Sequence, residues 1–383
     1  MLVAHLADLH LGRGSLGDSQ GAERLISFRQ AMATLAAYRP DAFLIAGDTF
    51  DSPQVDQAII QEAARVLCGI RNPDGAAIPI VLIPGNHDPA DAEKLWRSFS
   101  ELLESSGCVH LAREPRLIEL AGGKLLVEAY PCLTRYSAEP PWEKRLDIAR
   151  RNGEAVRVVV AHGTLQGGPI PEGETDAYPF TEDEIRALGA DYVALGHFHG
   201  IYPAWGNGDE CLRGCCYAGT HEADQFGGES GYAVLAHLSP GQPTRLRRIK
   251  IGRREWRRVV LNGPTDLGQV ERLLEEMRGD SAPPRYVVRL EVRSRAAWTP
   301  AEAQQLYGLE AALLTLGAQV ERRGEIRPCV DVQALDLAEL PSGAVKEALL
   351  SLKRDLEACQ VGHERELFAA ALQIGWEKVQ EFA

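Results

Sequence analysis

A layered α/β fold is what this sequence predicts, and three observations carry the prediction. Between Leu2 and Leu195 lie five short apolar runs rich in Val, Ile and Leu, each stopping abruptly at polar residues. Segments of helical character separate the first three runs. The runs do not alternate cleanly between apolar and polar positions, as expected of strands buried on both faces, and strands interleaved with helices make a largely parallel sheet. At 383 residues the chain also exceeds what one core usually organises, so two to three domains are expected.

Taken in order, "LVAHLA" runs into Asp8-Leu9-His10, and "AFLIA" (42–46) into Gly47-Asp48, with Asp51 three residues on. "IPIVLI" (78–83) runs into Gly85-Asn86-His87-Asp88, "VRVVVA" (156–161) into His162-Gly163, and "YVAL" (192–195) into Gly196-His197-Phe198-His199. Helices are expected over Glu23 to Tyr38, Gln54 to Arg71 and Asp91 to Ser106. In sheets of this kind ligand sites form where strands end and loops begin, so all five polar groups are expected on one rim.

The chemistry of that rim is consistent. It comprises Asp8, Asp48, Asn86 and up to five histidines, His10, His87, His162, His197 and His199. A mixture of imidazole and carboxylate oxygen suits Mn, Fe or Zn better than Mg or Ca. Eight donors are too many for one ion and suit two ions sharing a carboxylate. In Asp8-x-His10 and His197-x-His199, alternate residues of an extended segment point the same way, so each pair can grip one cluster. A lone histidine near a strand end is most often structural, and His5, His110, His237 and His363 are read that way; five such endings in sequence are not coincidence.

Composition bounds the rest. Apolar content of 45% and charged content of 25% are those of an ordinary globular protein. No apolar stretch is long enough to span a bilayer, and "MLVAHLADLH" lacks a basic leader and cleavage site, so a cytoplasmic protein without membrane contact is expected. Eight scattered cysteines suit a reducing compartment; Cys211, Cys215 and Cys216 are read as free thiols rather than half of a zinc site. Net charge is −13, but residues 245–327 carry 17 Lys or Arg against 11 Asp or Glu, or +6, which leaves −19 for the remainder. Within that stretch "RLRRIKIGRREWRR" (245–258) reads either as a phosphate-contacting stripe or as a solvated strand pair.

The motif order D-x-H, GD-x-x-D, GNHD, HG, GHxH resembles the calcineurin-like metallophosphoesterases over roughly two-thirds of the chain. The resemblance implies a four-layer αββα sandwich and a two-metal site, with two Mn ions, or Mg, Fe or Zn. Asp8, His10 and His199 would hold one ion, Asn86, His162 and His197 the other, and Asp48 would bridge them. His87 would stand over the phosphate as general acid. Asp88 would either orient His87 or cap the turn.

"YAGTHEADQFGGESGYAVLAHL" (217–238) is similar to a segment of the SbcD and YhaO type of bacterial repair nuclease, departing from it at Thr220 and His221, where His221 is not expected to ligate. The resemblance then implies a catalytic domain over 1–252, a small α/β capping domain over 253–338 that guides DNA, and C-terminal helices over 339–383. Arg247, Arg248, Arg253, Arg254 and Arg257 would contact DNA. Leu349, Leu356, Phe368 and Trp376 lie on amphipathic stripes that pack either on their own protein or, as in that branch, against an SMC-like coiled-coil ATPase. The activity implied is DNA phosphodiester hydrolysis, exonuclease or endonuclease, by a homodimer within an ATPase–nuclease repair complex. A phosphodiesterase for small or nucleotide substrates and a scaffold for the ATPase on DNA stand as alternatives.

Overall fold

Alternate residues of the first strand serve two different cores: Ala4 and Leu6 pack with the helices, Val3 and Ala7 pack between two sheets. The same division runs through the following strands, with Phe43, Ile45, Ile80 and Leu82 on the helical side and Leu44, Ala46, Val81 and Ile83 on the other. Both faces of each strand are therefore dry, which is why the runs carry so few polar residues. The computed structural model describes the chain except residues 14–18, 105, 145, 147–154, 170–176, 206–208, 224–225, 227–228, 280–284, 294–297, 327–336, 338–339, 341–342, 361 and 382–383.

In chain order the first part comprises β1 (Leu2–Leu6), α1 (Ser19–Ala36), β2 (Ala42–Ala46), α2 (Gln57–Gly69), β3 (Ile80–Ile83), α3 (Glu93–Leu103), β4 (Val109–Leu111), β5 (Arg116–Leu120) and β6 (Leu125–Tyr130). There follow β7 (Val156–His162), α4 (Glu182–Leu188), β8 (Tyr192–Gly196), β9 (Glu210–Leu212), β10 (Cys215–Tyr217), β11 (Tyr232–His237) and β12 (Arg245–Lys250). One sheet has the order β4-β3-β2-β1-β11-β12-β9 and the other β10-β8-β7-β6-β5. In the first, β1 to β4 are parallel while β11 runs antiparallel to β1; in the second, β6, β7, β8 and β10 are parallel. Val158, Val160, Tyr192 and Ala194 meet the first sheet's inner face in a shared core, and Val159, Val193 and Leu195 face outward onto α4 residues Ile185 and Leu188. Helices α1, α2 and α3 cover the first sheet's outer face through Phe28, Ile59, Trp96 and Phe99. This is the mixed α/β architecture that the runs predict, in the two-sheet form that the resemblance implies.

Local signals set the ends. Helix α4 starts at a capping box in which Thr181 and Glu184 exchange side-chain bonds with each other's backbone N–H, and it stops at Gly189 in the left-handed region, φ 63°.

The chain divides into two compact units, Met1–Trp256 and Arg257–Ala383. The second holds most of β13 (Arg254–Leu261), then α5 (Leu267–Gly279), β14 (Arg285–Val292), α6 (Pro300–Thr315), β15 (Gln319–Arg323), α7 (Ala344–Ala358) and α8 (Gly362–Glu381). Strands β13, β14 and β15 form a three-stranded sheet packed on α5 and α6. The boundary expected at 338/339 lies outside the described residues. Helices α7 and α8 pack on each other around Leu349, Leu356 and Leu372. Leu349 and Leu356 are each only 3% exposed and fill the hairpin's own core, with Phe368 and Trp376 half-buried against it.

Candidate metal centre

The loops after β1 and β2 are zipped together beyond their strands. Asp8 N–H donates to Gly47 O at 3.2 Å, His10 N–H to Asp48 O at 2.9 Å and Leu11 N–H to Thr49 O at 2.9 Å. The loop after β3 is tied to them by its own side chains: Asp88 accepts from Gly85 N at 2.7 Å and Phe50 N at 2.8 Å, and Asp48 accepts from His87 N at 2.8 Å. The second sheet joins across the gap. His162 Nδ1–H donates to Ala46 O at 2.9 Å, and His197 N–H donates to the Asp8 carboxylate at 3.0 Å.

This convergence strains the backbone. Asp8, His10, Asp48 and His197 have positive φ of 52°, 43°, 51° and 113°, a region that costs a non-glycine residue about 1–3 kcal/mol and persists only where the surroundings enforce it. Two glycines are required by the crowding: a Cβ on Gly47 would enter the His162 ring, and one on Gly196 would enter the Ala46 carbonyl.

All seven expected ligands meet here. The Nε2 atoms of His10 and His199 face each other at 2.9 Å; Asn86 Oδ1 lies 2.8 Å from His162 Nε2 and 3.1 Å from His197 Nδ1. Asp48 Oδ2 lies 3.6 Å from His10 Nε2 and 3.4 Å from His162 Nε2, between the two clusters. Ligand atoms of Asp8, His10 and His199 lie within 4.8 Å of one another, as do those of Asp8, Asp48 and His162, and those of His10, Asp48 and His87. His87 therefore stands within ligand distance of the cluster, not apart from it. His87, His197 and His199 are half-buried; Asp8, His10, Asp48, Asn86 and His162 are buried.

The electrostatics favour a cation. Burial, reinforced by Asp48, pushes the Asp8 carboxyl up to about 7 despite the nearby histidines. Burial lowers His10 to about 4. Burial would lower His162 too, but the charge of Asp48 overrides it and raises the imidazole to about 9, while Asp48 is held far below the usual carboxylate range. Two carboxylates enclosed at this spacing call for positive charge, and imidazole nitrogens with carboxylate and amide oxygens are the donor set of borderline divalent metals. The residues present fit that group.

Proton positions follow from the carbonyls. Ala46 O takes the His162 Nδ1 proton, so Nε2, 2.8 Å from Asn86 Oδ1, is the ring nitrogen turned into the cluster. His87 Nδ1–H donates to Asp51 O at 3.1 Å, so its Nε2 is the nitrogen left to exchange a proton.

Several residues near the cluster carry roles that the sequence pattern does not reveal. Asp51, part of the GD-x-x-D motif and without an assigned role there, holds His10 Nδ1 at 3.0 Å and so aims its other nitrogen inward. Buried Arg24 donates to Leu9 O and to Thr220 Oγ1 at 3.0 and 3.1 Å; nothing in its sequence setting signals this. Cys132 lies buried beneath His162, its thiol 3.5 Å from that residue's carbonyl. Asp88 spends its carboxyl on backbone N–H groups, which is the turn-capping alternative. His221 Nε2 lies 3.2 Å from Arg24 O, away from the donor cluster.

The arginine stripe is less available than its composition suggests. Arg248 is paired with Asp209 and Glu229, Arg253 with Glu23, and Arg257 with Glu276. Arg254 is only 6% exposed at the start of β13, where Glu222 accepts its N–H. Arg247 is exposed, with its guanidinium 5.7 Å from the Tyr38 ring. Cys211, Cys215 and Cys216 are free thiols.

Residues 1–200 match the family model described as calcineurin-like phosphoesterase. The chain belongs to that family. It is a phosphoesterase by descent, and the donor cluster occupies the matched region. Residues along the chain are 28% identical over 207 positions to the DNA double-strand break repair protein Mre11 of Aeropyrum pernix, covering 51% of this chain and 48% of the relative, so the match spans about half of that relative's length. The SbcD component of nuclease SbcCD from Bacillus subtilis is 25% identical over 377 residues, 88% of this chain and 91% of that protein. Among the described residues no helix is long and apolar enough to cross a membrane.

Proposed function

We propose that the chain is a metal-dependent DNA nuclease, the catalytic subunit of an SMC-like ATPase–nuclease repair complex, acting in the cytoplasm as a homodimer. The observation that carries the reading is the meeting of Asp8, His10, Asp48, Asn86, His162, His197 and His199 within one strained, largely buried cluster. Asp8, His10 and His199 hold one ion, Asn86, His162 and His197 the other, and Asp48 lies between them. Two Mn ions bound there supply Lewis acidity at the phosphoryl oxygens and a water acidified toward neutral pH.

The chain's own groups do the rest. Asp51 orients His10, Ala46 orients His162, and the Asp88 turn presents His87. With Nδ1–H committed to Asp51 O, His87 holds a proton on Nε2 for the leaving oxygen, a contribution of about 10²–10⁴-fold for a positioned general acid. The extent of the match to the Bacillus subtilis protein, named as one subunit of a nuclease, supports nuclease activity beside a partner subunit, and the match to a DNA double-strand break repair protein supports DNA as substrate. Because Leu349 and Leu356 are enclosed, docking falls to the outer face of the hairpin, where Leu367 and Ile374 stand exposed seven residues apart on α8.

Pairing of most of the arginine stripe with carboxylates favours a second reading, a phosphodiesterase for small substrates. End-labelled double-stranded DNA incubated with the purified chain and Mn or Mg, wild type beside His87→Ala, separates the two. Mn-dependent digestion lost in the variant supports the nuclease; cleavage of a small phosphodiester with DNA left intact supports the second reading.

A further inference from the structure

The chain leaving β6 forms a wall of the donor cluster and then emerges beside it. Cys132 N–H donates to Pro84 O at 3.1 Å, its carbonyl accepts from Ala90 N at 2.9 Å, and Leu133 O accepts from Asp91 N at 3.1 Å. On the facing side, immediately after His162 and Gly163, Thr164 N–H donates to Ala177 O at 3.1 Å and Tyr178 O at 3.3 Å. The Tyr178 phenol joins the two walls, lying 2.9 Å from both the N–H and the carbonyl of Thr134. Tyr178 itself has a φ of 54°, a left-handed conformation in a bulky residue that these bonds hold in place.

Between the walls is a hollow of about 220 Å³ lined by Pro131, Leu133, Thr134, Tyr136, Pro140 and Tyr178, among others. Tyr136 stands over it 60% exposed, with the Arg135 guanidinium 5.6 Å from its ring. Arg135 and Lys144 are exposed, and among the described residues neither is in an ion pair, unlike most of the stripe at 245–258. Tyr136 follows Cys132 by four residues, so it lies no more than about 14 Å from a residue that touches His162.

We propose that this hollow seats a nucleobase of the strand whose phosphodiester is cleaved, stacked on Tyr136, with Arg135 and Lys144 meeting the adjoining phosphates. This rests on the nuclease reading above and deepens it. The hollow is smaller than the roughly 300–1,000 Å³ of sites for larger ligands, which suits one flat ring and not a length of peptide. Aromatic stacking is indifferent to base identity, so the seat holds the strand without reading its sequence.

The test uses the full chain and two single-stranded oligonucleotides, one intact and one abasic through its central residues. Wild type is expected to have the lower KM on the intact strand. Tyr136→Ala should raise that KM by about five- to hundredfold, the range of one lost base stack, and so bring the intact-to-abasic ratio toward one, while Tyr136→Phe keeps the ratio. Equal losses on both strands would mean a structural role and overturn the proposal, as would an unchanged ratio. Binding of a proline-rich peptide that Tyr136→Ala abolishes, with DNA turnover intact, would give the hollow to a peptide instead. Cleavage of neither strand by wild type, with a small phosphodiester still hydrolysed, would remove the nuclease reading and this seat with it, an outcome distinct from failure of the seat alone.

Discussion

Two regions of this molecule are rich in groups that bind phosphate or metal, and they use them in opposite ways. At the strand ends of the first unit, Asp, Asn and His side chains are turned toward one another, and the backbone is held in unfavourable conformations to keep them so. Along 245–258 four arginines, 248, 253, 257 and 258, are turned toward carboxylates, as Arg248 is toward Asp209 and Glu229. Charge on a strand is satisfied wherever an opposite charge lies near; a cluster of ligands facing each other is satisfied only by something brought in. Convergence with strain is the stronger mark of function than abundance of charge.

The sharpest way to break that contrast is at Asp48. Asp48→Asn is expected to take turnover to the metal-free background and to lower the bound metal seen by elemental analysis; full metal content with full activity would show that the cluster does not need its central carboxylate. His87→Ala should lower kcat by about 10²–10⁴-fold with metal content unchanged, because the role proposed for His87 is toward the leaving oxygen. Loss of metal in that variant would move His87 into the ligand set, where its nearness to His10 and Asp48 already makes it eligible. Asp51→Asn, which weakens the hold on His10 Nδ1, should cost about 10–100-fold in metal affinity by titration calorimetry. The smallest effect is expected in the stripe. Arg257→Ala should change stability by no more than about 1 kcal/mol in chemical denaturation. It should also leave the slope of log Kd for DNA against log salt unaltered, whereas Arg247→Ala, if that exposed residue meets a phosphate, should reduce the slope by about 0.9.

How legible each region was in the sequence follows from the same contrast. The site strands announced themselves because both faces are buried, and glycines at 47 and 196 marked where backbone had to pass close to His162 and Ala46. The helices were readable too, with ends misplaced by a few residues: α2 begins at Gln57 and not Gln54. Strands β9 and β10 were invisible, since "ECL" and "CCY" are too short to show a period and exist by pairing with β12 and β8. Arg24 and Cys132 could not be found because their partners, Leu9, Thr220 and His162, are distant in the chain or are backbone carbonyls that leave no trace in composition. The stripe was misleading for a related reason: sequence displays the arginines at 248 and 257 but not that Glu229 and Glu276, each nineteen residues away, fold back onto them. Residue pattern alone reached a two-metal α/β hydrolase; the kind of substrate came from likeness to a family.

The cluster draws Asp8, Asp48 and Asn86 from one sheet and His162, His197 and His199 from the other, and its His10–His199 contact spans 189 residues of chain. A nascent polypeptide stalled between Asn86 and His162 carries the first sheet's donors without those that face them. The first sheet is itself unfinished until β11 has been laid beside β1 and β12 beside β11, at residue 250. Contacts so remote in sequence form late, after most of the loop entropy has been surrendered. Assembly of the donor cluster is thus tied to completion of the first unit during synthesis, and a fragment that stops short of it lacks part of the donor set.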